Sequence, residues 1–145
     1  MGDMTTMRHL KTVTSQTVKD INGLFRQLSP QAKNASRAQL LNMVRNPNVE
    51  WWVVQDGVNI IGMGILIIFL KSIGTAAEMQ EMVVDERYRG RGIGKSLAGK
   101  LISRAKARGA THIDLTSNPS RTAANAFYQK LGFEIRKTNV YRLTL

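Results

Sequence analysis

Residues 82–96, which read MVVDERYRGRGIGKS, decide the fold. A strand pattern ends here, three glycines alternate with other residues, and a helical pattern begins at Gly94. Main-chain N–H groups at the start of a helix have no acceptor within it, and the helix dipole adds positive potential there. Glycines let a phosphate approach the backbone because no Cβ is in the way. The segment therefore predicts an anion-binding turn, to which Arg89, Arg91 and Lys95 add charge.

Two common nucleotide-binding motifs do not fit this segment. The P-loop motif needs a glycine five residues before the Gly-Lys-Ser that begins at Gly94, and Arg89 stands there. The dinucleotide motif G-x-G-x-x-G needs a glycine at position 95 or 97, where the chain has Lys95 and Leu97. The phosphate-binding signal is therefore of another kind.

The pattern R-x-x-G-x-G does fit, since Arg89, Gly92 and Gly94 meet it. With its surroundings it resembles motif A of the GNAT acetyltransferase superfamily, in which the loop amides bind the pyrophosphate of coenzyme A. The resemblance implies a cofactor-binding loop of seven residues: Arg89, Gly90, Arg91, Gly92, Ile93, Gly94 and Lys95. The alternative is a glycine-rich turn with solvated basic side chains.

A second motif follows at residues 121–133, RTAANAFYQKLGF. It resembles GNAT motif B, a helix that carries a small residue and a tyrosine and ends at Gly-Phe. The resemblance implies that Tyr128 donates a proton to the leaving thiolate; the alternative is a core tyrosine with its hydroxyl at the edge. Asn118 either hydrogen-bonds the pantetheine arm or is a turn residue before Pro119. The two motifs stand in the order and at the spacing of that family.

The rest of the chain predicts a mixed, largely antiparallel sheet flanked by helices, the α/β (α+β) layout of a GNAT-like domain. Ser15 and Ser36 are predicted N-caps of two helices, and Asp56-Gly57 is a hairpin turn signal. Gly62 and Gly64 indicate a bulge or a close contact. Strands are predicted at 7–13, 51–54, 58–70, 76–84, 112–116 and 133–143, and later helices at 94–108 and from 120 or 121 to 131.

Transfer of an acetyl group from acetyl-CoA, the cosubstrate that the resemblance implies, needs a neutral amine and so favours a general base. Glu81 and Glu78 precede the loop on the predicted strand. Strand alternation puts them on opposite faces, with Glu81 beside Met79 and Val83. By resemblance, Glu81 fits the base better than Glu78. The resemblance further implies that the backbone of Val83 and Val84 pairs with pantetheine and that an amide near Val84 faces the acetyl carbonyl.

Composition limits the other possibilities. The 145 residues carry no cysteine, which excludes disulfides, thiolate nucleophiles and cysteine-based zinc sites. His9 and His112 form no ligand pair, so we expect no metal. One domain over residues 1–145, in the cytoplasm, without a membrane segment, is expected. The expected partner is a small-molecule or peptide amine. Whether the chain forms a homodimer is not decided by the sequence.

The net charge of +11 attracts anions in general. It favours an acceptor with carboxylate or phosphate over a polyamine. A basic nucleic-acid-binding module is an alternative, but no known motif of that type is present and nucleic acid is not expected. A catalytically silent acetyl-CoA sensor is another alternative. Trp51 and Trp52 are adjacent, so one of them is predicted to be core.

Overall fold

Five strands lie in one sheet, in chain order, in the computed structural model, which describes residues 4–145. The first four strands pair antiparallel and the fifth pairs parallel to the fourth. The predicted mixed, largely antiparallel sheet with flanking helices is therefore confirmed. The elements are β1 (Thr5–His9), α1 (Ser15–Leu28), α2 (Arg37–Arg45), β2 (Val49–Asp56), β3 (Asn59–Lys71), β4 (Gly74–Val84), a 3-10 turn (Glu86–Tyr88), α3 (Ile93–Ala107), β5 (Ala110–Asp114) and α4 (Thr122–Lys130).

The first two helices begin at capping boxes. Ser36 caps α2 as predicted, and its side chain accepts from the Gln39 N–H at 3.2 Å. The cap of α1 is Thr14 rather than Ser15, because Thr14 has extended backbone and its hydroxyl accepts from the Thr17 N–H at 3.1 Å. Each cap satisfies an N–H group that the helix leaves without an acceptor.

The sheet buries a hydrophobic cluster on each face. Trp51, Val53 and Met63 belong to a cluster that includes Ile21 and Leu24 of α1. The other face packs on α3 through a second cluster: Val54, Ile61, Ile93 and Leu97. Trp51 is 1% exposed, which confirms that one of the paired tryptophans is core. This packing on both faces therefore fixes the end of β4 and the start of α3 relative to each other.

Gly64 of β3 lies where the chain has no room for a side chain. A Cβ at this position would meet the sulfur of Met82 and come within 2.8 Å of Leu101 Cδ1. The close contact predicted from the glycines of this strand is confirmed at Gly64. The absence of a side chain at Gly64 lets α3 pack closely against the centre of the sheet through Leu101.

The chain divides into two compact units after Leu115. The second unit contains α4, which ends at Lys130 and is followed by Gly132 with a φ of 101°. The strand predicted at 133–143 is wrong: no strand forms there, and Ile135, Val140 and Tyr141 are each at least 80% exposed. Alternating apolar residues give strand propensity, but a strand also needs a hydrogen-bonding neighbour, which a local pattern cannot supply.

Candidate functional site

The loop between β4 and α3 has a backbone shape that glycine permits. Gly90 and Gly92 have φ of 78° and 80°, in the left-handed region that L residues rarely adopt. Both are exposed, and a Cβ on either would meet no atom within 4 Å. The backbone of the loop is therefore open to an approaching group.

Main-chain donors lie at the start of α3. Gly92 is the N-cap and has no side chain to cap the helix, and the first helical bond runs from the Ser96 N–H to the Gly92 carbonyl at 3.0 Å. The N–H groups of Ile93, Gly94 and Lys95 precede that bond and have no acceptor within the helix. No other acceptor among residues 4–145 takes a hydrogen bond from these three N–H groups. These three amides can bind an anion, which the helix dipole also attracts.

Basic side chains surround the loop, and several are held in place. Arg89 Nε donates to the Val84 carbonyl at 3.0 Å, and the Arg91 guanidinium lies 5.0 Å from the centre of the Tyr88 ring. Lys95 is exposed and makes no hydrogen bond or ion pair with any described residue. Its ammonium is therefore available to an anion at the start of α3.

An acidic residue fixes the entry to the loop. Asp85 is buried and accepts from the Arg87 side chain at 3.1 Å and from the Arg87 N–H at 2.9 Å. These hydrogen bonds from Arg87 outweigh desolvation and lower the pKa of Asp85. An ionised Asp85 thus holds the turn that follows β4.

Two distant residues anchor the same turn. The Tyr88 hydroxyl donates to Asp56 in the β2–β3 hairpin at 2.6 Å, and the Glu86 N–H donates to the Gln27 side chain of α1 at 3.0 Å. These contacts span 32 and 59 residues of sequence. The sequence did not predict these contacts of Tyr88, Asp56 and Gln27 because no local pattern links residues so far apart.

One edge of β4 is open next to the loop. The register of β4 with β5 ends at Glu78 opposite Asp114, where β5 itself ends. From Met79 to Val84 this edge faces no strand within the described part of the chain. Val83 and Val84 lie on this segment. Since successive residues of a strand alternate between β3 and the open edge, one of their two N–H groups can face an extended ligand on the β5 side, while the Val84 carbonyl accepts from Arg89.

A bulge in β4 changes which way its side chains point. Val83 lies opposite Met63, but Gln80 already lies opposite Ile65, so β4 has an extra residue. Glu81 sits in this bulge with a φ of 51°. It is the one residue other than glycine with positive φ among residues 4–145.

The predicted face of Glu81 is therefore wrong. Val83 packs with Met63 in the cluster on the α1 face, whereas Met79 lies opposite Leu66, whose side chain points to the other face. Glu81 cannot share a face with both Met79 and Val83. The extra residue breaks the period of two on which the prediction rested.

The two acidic candidates of β4 differ in their surroundings. Glu78 is half-buried and accepts from the Gln80 side chain at 2.8 Å. Glu81 has no hydrogen-bond partner in the described residues, and desolvation by nearby protein atoms raises its pKa. A carboxylate with a raised pKa is a stronger base, so Glu81 has the chemistry that proton transfer from an amine needs.

Tyr128 and Asn118 belong to the second unit. Tyr128 packs edge-on against Phe127 and Phe133, with ring centres 5.4 and 5.8 Å apart. Its hydroxyl has no partner in the described residues, and desolvation raises its pKa, which keeps the phenol protonated. Asn118 Oδ1 accepts from the Ser120 N–H at 2.9 Å, as in an Asx turn.

Neither a metal-binding cluster nor a membrane-spanning helix is found among residues 4–145. Among residues 4–145, no three acidic or histidine side chains lie close enough to hold a metal ion. No helix in that range is long and apolar enough to cross a membrane.

Comparison with protein families places this site in context. The family model described as the acetyltransferase (GNAT) family matches residues 16–133. An uncharacterized N-acetyltransferase of Methanocaldococcus jannaschii is 45% identical over 58 residues, which are 40% of this chain and 26% of that protein. Glucosamine 6-phosphate N-acetyltransferase 1 of Oryza sativa is 32% identical over 65 residues, which are 45% of this chain and 38% of the rice protein. These alignments thus span well under half of either relative.

Solved structures agree over nearly the whole chain. An acetyltransferase of Trypanosoma brucei is 27% identical with a TM-score of 0.79, covering 97% of this chain and 99% of that one. A putative acetyltransferase of Agrobacterium tumefaciens is 20% identical with a TM-score of 0.82, covering 96% and 99%. The second likeness concerns the fold alone.

Proposed function

The chain belongs to the GNAT acetyltransferase family, and from that premise we propose that it transfers the acetyl group of acetyl-CoA to a primary amine by direct attack in a ternary complex. One observation carries this proposal. Free amides lie at the start of α3, and the open edge of β4 precedes them in the chain. The amides can donate to the oxygens of a diphosphate, and the strand edge can hydrogen-bond an extended arm that contains amide groups. Family membership supports an acyltransferase; the cosubstrate, the acceptor and the residue roles are the proposal.

We propose that the loop from Arg89 to Lys95 holds the pyrophosphate of acetyl-CoA. The positive φ of Gly90 and Gly92 and the empty space beside them support this fit. The main chain of Val83 and Val84 pairs with the pantetheine arm, and the amide near Val84 stabilises the developing oxyanion. Asn118 hydrogen-bonds the arm through its Nδ2, since its Oδ1 serves the Asx turn. When bound, acetyl-CoA supplies an acetyl thioester.

Glu81 is the proposed general base. It accepts the proton of the acceptor ammonium through water, so that the neutral amine can attack. Its raised pKa and its lack of a hydrogen-bond partner support this role over Glu78, whose carboxylate is held by Gln80. Glu78 remains the second candidate.

Tyr128 is the proposed general acid. It donates its phenolic proton to the sulfur as the carbon–sulfur bond breaks, so that coenzyme A leaves as a thiol. Its free hydroxyl and its raised pKa support the role, because the phenol is then protonated at neutral pH. The ring packing against Phe127 and Phe133 holds the hydroxyl in one orientation.

A phosphorylated or carboxylated amine is the proposed acceptor class. The net charge of +11 attracts such a molecule and repels polyamines. The rice relative, named for acetylation of glucosamine 6-phosphate, supports the same class. A panel of amino sugars, their phosphates and amino acids, with free thiol as the readout, tests this assignment.

Calorimetry with acetyl-CoA tests the cofactor site. We expect micromolar binding that Gly92→Glu abolishes, because a carboxylate would stand beside the diphosphate and a side chain would strain the left-handed backbone. Gly99→Glu is the matched control, since Gly99 is an exposed residue of α3 with open space around it. Its binding should equal that of the wild type, and thermal unfolding shows whether each variant is folded.

Other outcomes would reject the proposal in distinct ways. Absence of acetyl-CoA binding together with tight, salt-sensitive binding of DNA or RNA would favour a nucleic-acid module. Binding of acetyl-CoA with no thiol release across the whole acceptor panel would favour a sensor.

A further inference from the structure

A cavity of about 500 Å³ lies at the far end of α3 from the glycine loop. The ends of β1 and α2, the start of β2 and the last turns of α3 form its walls. Ile93 and Arg108 are separated by 15 residues, so the two ends of α3 are about 20 Å apart. The described lining residues include none from β4 or the loop, so this cavity is separate from the proposed cofactor site.

A buried carboxylate organises one wall of the cavity. Glu50 has a side chain that is 3% exposed, and it accepts from Arg104 at 2.7 and 3.1 Å and from Arg108 at 3.0 Å. Arg108 also donates to the Pro47 carbonyl at 2.8 Å. The two guanidinium groups are thereby held in fixed orientations while remaining partly exposed, at 37% and 29%.

Two further cations of the lining have no structural partner. Lys11 and Arg45 are exposed and make no hydrogen bond or ion pair with any residue in 4–145. Four permanent cations thus face this cavity against the single carboxylate of Glu50. A purely structural role, in which ion pairs join α3 to β2, would need only Glu50, Arg104 and Arg108. Such a role does not explain why Lys11 and Arg45 line the same cavity.

We propose that this cavity binds a small polyanion that carries phosphate groups. Glu50 and the Pro47 carbonyl orient the two guanidinium groups and leave some of their N–H groups free. Oriented N–H groups can donate to phosphate oxygens at a lower entropic cost than those of mobile side chains. Lys11, just after β1, and Arg45, at the end of α2, line the same cavity as the two arginines of α3, so a compact anion with many oxygens can neutralise both pairs. The volume fits a small molecule. The proposal does not depend on the reaction assigned above.

Calorimetric titration of the full chain with inorganic pyrophosphate tests the proposal. We expect the double variant Lys11→Gln/Arg45→Gln to lose about tenfold or more in affinity at one site, because two charge-assisted contacts are removed. Lys33→Gln/Arg136→Gln removes the same charge from exposed positions outside the cavity and should bind as the wild type does. Both variants leave the Glu50 network intact, so each should fold.

A third variant separates the cavity from the glycine loop. Arg91→Gln/Lys95→Gln weakens any pyrophosphate site at the loop and should leave the cavity site unchanged. Equal losses in all three double variants would show general charge attraction and overturn the proposal. It would also be overturned by unchanged binding in Lys11→Gln/Arg45→Gln, or by a wild type that binds no pyrophosphate.

Discussion

Glu50 shows how a single buried charge is tolerated. Desolvation opposes its ionisation, but hydrogen bonds from Arg104, Trp52 and Arg108 outweigh that cost and lower its pKa to about 2. The group is therefore ionised across the physiological range. Because the folded pKa is below its ordinary value of 4.5, the stabilisation is complete above pH 4.5 and is lost as pH falls toward 2.

Glu50→Gln should lower the free energy of unfolding at pH 7 by about 2 to 3 kcal/mol, since it removes the charge that two arginines surround. The deficit should shrink as pH falls from 4.5 toward 2, because the unfolded wild type then takes up a proton that the folded Glu50 does not. Urea unfolding at several pH values measures it. Glu86→Gln, at an exposed carboxylate, is the control and should change stability little. A deficit independent of pH would contradict the role given to the charge.

Glu81 combines a chemical role with an unusual backbone. Replacement by Gln should lower kcat strongly while leaving acetyl-CoA affinity unchanged, because the amide cannot accept the proton. The raised pKa places the acid limb of the wild-type rate profile above the ordinary value of 4.5, with activity rising as pH rises. Steady-state rates against pH provide the measurement. An unchanged kcat in Glu81→Gln would remove it as the base and direct attention to Glu78.

The backbone at Glu81 gives a separate prediction about stability. A β-branched residue is disfavoured at a φ of 51°, whereas asparagine tolerates the left-handed region. Glu81→Val should therefore destabilise the fold by about 1 to 2 kcal/mol more than Glu81→Asn does. Urea unfolding of the two variants compares them. Equal stabilities would mean that the bulge relaxes when the side chain changes.

At the scale of elements, the packing of α3 on the centre of the sheet depends on Gly64. Gly64→Ala should destabilise the fold by about 1 to 3 kcal/mol, because its Cβ would collide with Met82 and Leu101. Shortening one neighbour, in Gly64→Ala/Met82→Ala, should recover part of that loss. Thermal unfolding of the single and double variants tests this.

Gly99→Ala is the control for the backbone effect of glycine. Gly99 is exposed within α3 and has open space, so the change should stabilise the helix by about 0.5 to 1 kcal/mol. A Gly64→Ala variant as stable as the wild type would show that β3 and α3 separate easily.

At the scale of the whole molecule, the net charge of +11 acts on every anionic ligand. The affinity for coenzyme A should fall as salt rises from about 50 to 500 mM, since added ions screen the attraction. Acetyl-pantetheine, which lacks phosphates, should bind with little salt dependence. Calorimetry with both ligands gives the comparison. A salt-independent affinity for coenzyme A would show that phosphate contacts contribute little.

Much of the proposed site could be predicted from local sequence. The glycines at 90 and 92, the helix that follows them and the cap at Ser36 all depend on residues within a few positions. The spacing of apolar residues along the chain likewise predicts the central parts of the helices and the strands of the mixed sheet. The roles of Glu81, Glu78, Asn118 and Tyr128 remain predictions, which the proposed variants and binding experiments address.

What the sequence by itself determined is the order of elements up to α4 and the glycine turn before α3, because short-range backbone preference and side-chain period control both. Only the tertiary structure decided the bulge at Glu81, the absent strand near the C-terminus and the four cations gathered around one cavity. Each of these features depends on contacts, made or not made, between residues that are far apart in sequence. Their outcome depends on which distant segments pack together, and no local pattern records that choice.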